Sequence, residues 1–171
     1  ISGELNSVDF VDSQNGWAVG YWTILHTQDG GETWIPWGEN IQGVLNGVDF
    51  VGVEDGWILR GIHLFHTIDG GKSFFVENPP LKGHEELYAM QFLTKTDGWV
   101  VGRDSILNTT DGGKKWLDKS PKMRIDLYRV DFISKKEGWA VGTIMEGMTI
   151  LAASLYTKDG GKNWQTTRIS D

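Results

Sequence analysis

The carboxylates of this chain that could do chemistry arrive in two repeated settings. Asp29, Asp69, Asp111 and Asp159 each stand in a Thr-x-Asp-Gly-Gly sequence, at Thr27–Gly31, Thr67–Gly71, Thr109–Gly113 and Thr157–Gly161. Asp9, Asp49 and Asp131, with Gln91 in the remaining copy, stand one residue before a phenylalanine. An acidic turn invites a calcium reading, but each turn supplies one dependable carboxylate, whereas calcium takes about 6 to 8 oxygens. The expected role is local: the aspartate accepts backbone N–H bonds while Gly30, Gly70, Gly112 and Gly160 give the chain its left-handed residue. An aromatic then closes each turn, Trp34, Phe74, Trp116 and Trp164. The second set suggests a candidate axial polar ring, Asp9, Asp49, Gln91 and Asp131, for a cation or ligand, against hydrogen bonding to neighbouring backbone or indole N–H groups.

Other chemistry finds little support. His26 and His66 recur before the turn, but Asn108 and Tyr156 replace them in the other copies, so no symmetric imidazole site is kept. His63 and His66 lie three apart on an expected strand and point to opposite faces. The 23 acidic residues guarantee that some pair will meet the roughly 5 to 9.5 Å spacing of a glycosidase by chance, and none is singled out. Neither a nucleophile triad nor a phosphate loop appears, and no catalytic residue, metal site or cofactor is expected.

The elements that carry these residues repeat as well. Gly-Trp pairs at Gly16-Trp17, Gly56-Trp57, Gly98-Trp99 and Gly138-Trp139 advance by 40, 42 and 40 residues, as do Phe10, Phe50, Phe92 and Phe132. A unit is therefore about 40 residues long, the period of a propeller blade. Short alternating or β-branched runs bounded by turns fill each unit. In the first these are Leu5 to Val11, Trp17 to Tyr21, Thr23 to Thr27 and Thr33 to Pro36, with the others parsing alike from Leu45, Leu87 and Leu127. The expected fold is all-β, a propeller of four four-stranded blades in one domain over 1–171, with blades at about 4–43, 44–85, 86–125 and 126–171. Trp17, Trp57, Trp99 and Trp139 should wedge between adjacent sheets. The connectors 37–43, 78–86 and 118–126 should link blade to blade.

The repeated turn resembles the Asp-box, or bacterial neuraminidase repeat, found in sialidases, some glucanases, sortilin-like receptors and photosystem II assembly factors. Leu5-Asn6-Ser7-Val8-Asp9-Phe10-Val11, then Asn15 to Gly20 and Thr23 to Thr27, resemble more closely the photosystem II stability and assembly factor family of propellers. The similarity runs over almost the whole chain, and it implies a noncatalytic scaffold for protein–protein interaction. A sialidase would need an arginine cluster, whereas Arg60, Arg103, Arg124, Arg129 and Arg168 are scattered. The same resemblance leaves open a carbohydrate-binding module or degenerate glycosidase. Four units could close alone, self-associate to complete a larger ring, or belong to a longer protein.

Composition narrows the partners. A net charge of −7 disfavours a general nucleic-acid surface, and the basic run Lys114 to Arg129 reads as a solvated loop. No apolar run approaches the roughly 20 residues of a membrane span, and cysteine is absent. A soluble chain is expected, exported by family resemblance. The candidate partner surface comprises Trp22 and Trp37, which fall outside the repeated aromatic positions, and an insertion between Thr143 and Tyr156. Eight additional residues there should extend a hairpin carrying Ile144, Met145, Met148, Ile150 and Leu151.

Overall fold

The computed structural model describes residues 3–38, 41–81 and 86–169. Among the described residues, sixteen strands run in chain order. They are β1 Leu5–Phe10, β2 Gly16–Gly20, β3 Thr23–Thr27, β4 Ile35–Pro36, β5 Gly47–Phe50, β6 Gly56–Arg60, β7 His63–Thr67, β8 Phe75–Glu77, β9 Leu87–Phe92, β10 Gly98–Gly102, β11 Ser105–Thr109, β12 Leu117–Asp118, β13 Ile125–Phe132, β14 Gly138–Glu146, β15 Thr149–Thr157 and β16 Gln165–Ile169. They form four antiparallel sheets of four strands, each ordered as in the sequence. Every sheet is thus an up-and-down meander, the architecture of a propeller blade.

The chain divides into two compact units, Ile1–Asn78 and Pro79–Asp171, each holding two blades. In the first unit, Trp17, Val19 and Ile24 of one sheet pack on Val48, Phe50 and Ile58 of the next. In the second, Trp99, Val101 and Ile106 pack on Leu127, Phe132 and Leu155. Burial on both faces explains the near-continuous apolar character of the second strand of a blade, seen as buried residues throughout β2 and β10.

The Gly-Trp pair has a steric cause. Gly16 pairs in register with Phe10, and Gly98 with Phe92. A Cβ on Gly16 would come within 2.6 Å of the Phe10 ring, and on Gly98 within 2.3 Å of the Phe92 ring. The phenyl ring therefore lies across the glycine of the neighbouring strand, and only a residue without a side chain leaves room. The following tryptophan stands on the opposite face and reaches the next blade. Trp17 stacks on Phe50 with ring centres 3.8 Å apart and planes within 5°, and Trp99 on Phe132 at 4.0 Å and 9°.

The expectation that all four tryptophans wedge between sheets needs one correction. Trp17 and Trp99 lie between the two sheets of their own units and Trp57 is buried against His66 of its own blade, but Trp139 is exposed and stacks on Tyr156 of its own blade, at 4.8 Å. Strand β4 is also shorter than expected, because the Asp-box turn occupies Thr33. The first strand of the fourth sheet begins at Ile125. Parts of the connectors 37–43 and 78–86, and the chain end after 169, lie outside the described residues.

Removing the buried indole with Trp99→Ala should lower the unfolding free energy by about 3–5 kcal/mol in chemical denaturation. Ile133→Ala, at an exposed loop position, should change it by less than about 0.5 kcal/mol.

Candidate functional site: Asp-box turns and the exposed blade margins

The four Asp-box turns are built alike. The Thr27 hydroxyl donates to Asp29 Oδ1 at 2.7 Å and accepts the Gly31 N–H at 2.9 Å. Asp29 Oδ1 also accepts the Thr33 N–H at 2.9 Å, and Oδ2 accepts the Thr33 hydroxyl at 2.5 Å. Thr67, Asp69, Gly71 and Ser73 repeat this set, as do Thr157, Asp159, Gly161 and Asn163. In the third copy Asp111 takes the Thr109 hydroxyl and the Lys115 N–H. Gly30 and Gly31 both have positive φ, 75° and 92°, a backbone that β-carbon-bearing residues resist. The Gly30 N–H then donates to Gln14 O at 3.0 Å, tying the turn to the first loop of its blade.

These carboxylates are committed to the backbone. The Thr33 hydroxyl and N–H hold Asp29 down at a pKa of about 2. The Ser73 and Asn163 side chains, helped by their N–H groups, do the same for Asp69 and Asp159, each to about 2. With its acceptor sites occupied inside the turn, such a group is neither a general acid near neutral pH nor a free metal ligand. The closing aromatics pack edge-on to the strand phenylalanines: Trp34 on Phe10 at 5.8 Å, Trp116 on Phe92 at 6.3 Å and Trp164 on Phe132 at 6.2 Å. Phe74 approaches Gly71 and, across the blade seam, Gly38.

The strand-one polar groups act between blades. Asp9 Oδ2 accepts the Phe50 N–H at 2.7 Å, and Gln91 Oε1 accepts the Phe132 N–H at 2.5 Å while its Nε2 donates to Asp131 at 3.0 Å. Burial raises the Asp9 pKa, and the bonds from the Phe50 and Phe10 amides oppose that rise. Asp9 and Gln91 are thus clasps holding one blade to the next within a unit. Among the described residues no group of three or more His, Asp or Glu side chains could hold a metal ion.

The candidate partner surface is only partly at the surface. Trp37 is half-buried, donates its indole N–H to Gly70 O at 2.7 Å and packs against His26 at 4.6 Å. Ile144 is buried in the second unit's core and Leu151 packs against that core, because the inserted hairpin alternates sides and turns these two residues inward. Met145, Met148 and Ile150 are exposed, with Met148 at the β14–β15 tip fully so. An Arg168–Glu146 ion pair at 2.6 Å brings β16 to the base of that tip. Trp22 is exposed and holds φ at 58°, rare for a bulky residue. It borders a cleft of about 160 Å³ also lined by Thr23, Pro36, Trp37 and Ile41.

Two features escaped the sequence reading. His26 lies between Trp17 and Trp37, and neither ring nitrogen has a hydrogen-bond partner. Burial lowers its pKa. The Tyr156 hydroxyl donates to Glu137 Oε1, which pushes the phenol up to about 12. The sequence signal for the second was present, since Glu137 takes the place of Asp97 and Tyr156 that of Asn108 in the repeat.

Blades of this topology, each with a Thr-x-Asp-Gly-Gly turn, define a β-propeller of the neuraminidase-repeat type. The sequence pattern of the Photosynthesis system II assembly factor YCF48 family matches residues 1–78 and 75–171, and the chain belongs to that family. Similar solved structures include YCF48 bound to D1 peptide, 19% identical with a TM-score of 0.62, covering 96% of this chain and 82% of that one. YCF48 from Cyanidioschyzon merolae is 17% identical at 0.61, covering 96% and 85%. The GH74 enzyme of Niastella koreensis is 14% identical at 0.75, covering 95% of this chain but 29% of its own. At these identities the likeness establishes the fold. Among curated proteins none matches. No helix among the described residues is long and apolar enough to cross a membrane.

Two pH effects follow. Asp69 is held near 2 in the folded chain against about 3.9 when unfolded, so its contribution is present above about pH 4 and is lost as pH falls through 2. Asp69→Asn should flatten the fall of melting temperature across that window. For His26 the folded pKa is depressed, so below the unfolded value of about 6.5 the unfolded chain binds the extra proton and stability drops with pH. His26→Phe should reduce the slope of melting temperature between about pH 5 and 6.5; an unchanged slope would refute the burial argument.

Proposed function

We propose that this chain is a noncatalytic scaffold that binds another protein, exported from the cell, and that the β14–β15 hairpin is its contact. The observation that carries this reading is Met148, fully exposed at a tip flanked by exposed Met145 and Ile150. Flexible, polarizable methionines on a projecting apolar tip suit a surface that adapts to a polypeptide. A rigid hairpin presents them with little ordering cost on binding. Membership in the assembly-factor family agrees with a scaffold role, and the D1 peptide bound by a structurally similar protein suggests a peptide as ligand.

A carbohydrate-binding reading keeps one specific support, exposed Trp22 beside its cleft, which could stack on a sugar ring. The two readings separate in one experiment. Calorimetric titration with a D1 peptide should give saturable binding that Met148→Asp weakens at least tenfold and Trp22→Ala leaves unchanged. Saturable binding or turnover of a soluble glucan lost in Trp22→Ala, with no peptide binding, would overturn the scaffold reading in favour of the alternative.

A further inference from the structure

Sulfur enters this chain only through four methionines, since cysteine is absent. Three of them gather at the inserted hairpin. Met145 pairs with Ile150 near the end of β14, Met148 stands in the turn before β15, and Met123 precedes Arg124, whose carbonyl accepts the Met145 N–H at 3.1 Å. Met123 and Met145 are 41% and 43% exposed and Met148 is wholly in solvent, whereas Met90 is half-buried in β9 opposite Val100. Gly147 holds φ at 60°, and a Cβ built there would meet nothing within 4 Å, so the turn projects clear of its surroundings. The hairpin thioethers differ in their neighbours. Met145 Sδ accepts an N–H of the Arg124 guanidinium at 3.8 Å, which draws on the sulfur lone pair, while the exposed Met148 faces water instead.

We propose that Met148 is a modification site: a hydroperoxide oxidises its thioether to the sulfoxide, and the oxidised tip releases the bound peptide. The release rests on the reading of this tip as the peptide contact, whereas the site itself rests on exposure and sulfur chemistry. A Met148 Sδ lone pair attacks the terminal oxygen of the hydroperoxide, and an S–O bond forms as the O–O bond breaks. The proton on the transferred oxygen passes to the departing one, which leaves as water or an alcohol; sulfur loses two electrons and the peroxide gains them. With the guanidinium on Met145, Met148 is the first hairpin sulfur to react. The product exchanges a flexible apolar side chain for a polar, chiral one. At a tip that grips by apolar contact, that exchange removes affinity. Methionine sulfoxide reductases reverse the change, so the contact is restored without new synthesis.

Limited hydrogen peroxide treatment of the 171-residue chain, followed by peptide mass spectrometry and calorimetric titration with the D1 peptide, tests both parts. The first oxygen should be added at Met148, ahead of Met123, Met145 and Met90. Affinity should fall by about tenfold or more with the melting temperature unchanged, and should return after treatment with methionine sulfoxide reductases. Met148→Leu lacks the sulfur, and its affinity, whatever its starting value, should not respond to peroxide. Oxidation that reaches another methionine first, undiminished binding by the chain oxidised at Met148, or an equal peroxide response in Met148→Leu would each overturn the proposal. Failure of the untreated chain to bind the peptide would instead overturn the scaffold reading and the release step with it; the order of oxidation, read by mass, decides the site on its own.

Discussion

The stacking of an indole from one blade on a phenyl ring of the next is the constraint from which the rest of this structure follows. It demands a glycine before the tryptophan, because the blade's own phenylalanine lies over that position at 2.3 to 2.6 Å from where a Cβ would be. It also demands a fixed register between first and second strands, Phe10 opposite Gly16 and Phe132 opposite Gly138. The Asp-box aromatic then packs edge-on to the same phenyl ring, so one phenylalanine contacts its blade's closing turn and its neighbour's indole. Asp9 and Gln91 clasp the amide of that phenylalanine across the seam. Aromatic contact, register and clasp reinforce one another, the agreement between local and global preference that specifies a single fold.

The same economy accounts for how the turn aspartates are used. Asp29, Asp69 and Asp159 spend their oxygens on a threonine hydroxyl and on the backbone and side chain at the turn's end. The turn is thereby rigid, and each blade offers a fixed margin from which other residues project. Two features depart from the repeat: a long hairpin in the fourth blade and a tryptophan held at positive φ in the first.

Period and turn chemistry were legible in the sequence because each appears four times, which fixed strand order and placed the Gly-Trp pairs. The sequence did not reveal which copies of a repeated residue would be covered. Trp139 and Trp99 read identically, but burial depends on what stands beside a blade, and that is not written in the blade. Ile144 and Leu151 were misread for a related reason: a run of apolar residues in an insertion does not say which side of the hairpin each one takes until register is set by Ile144 opposite Leu151. Trp37 was drawn into the core by an acceptor, Gly70 O, 33 residues away, a long-range contact that no local pattern announces.

A double-mutant cycle on Trp17 and Phe50, measured by chemical denaturation with Trp17→Leu, Phe50→Leu and the double variant, tests the central interaction most directly. The account predicts a coupling energy of about 0.5–1.5 kcal/mol between the two rings. Strictly additive effects, with coupling indistinguishable from zero, would contradict it.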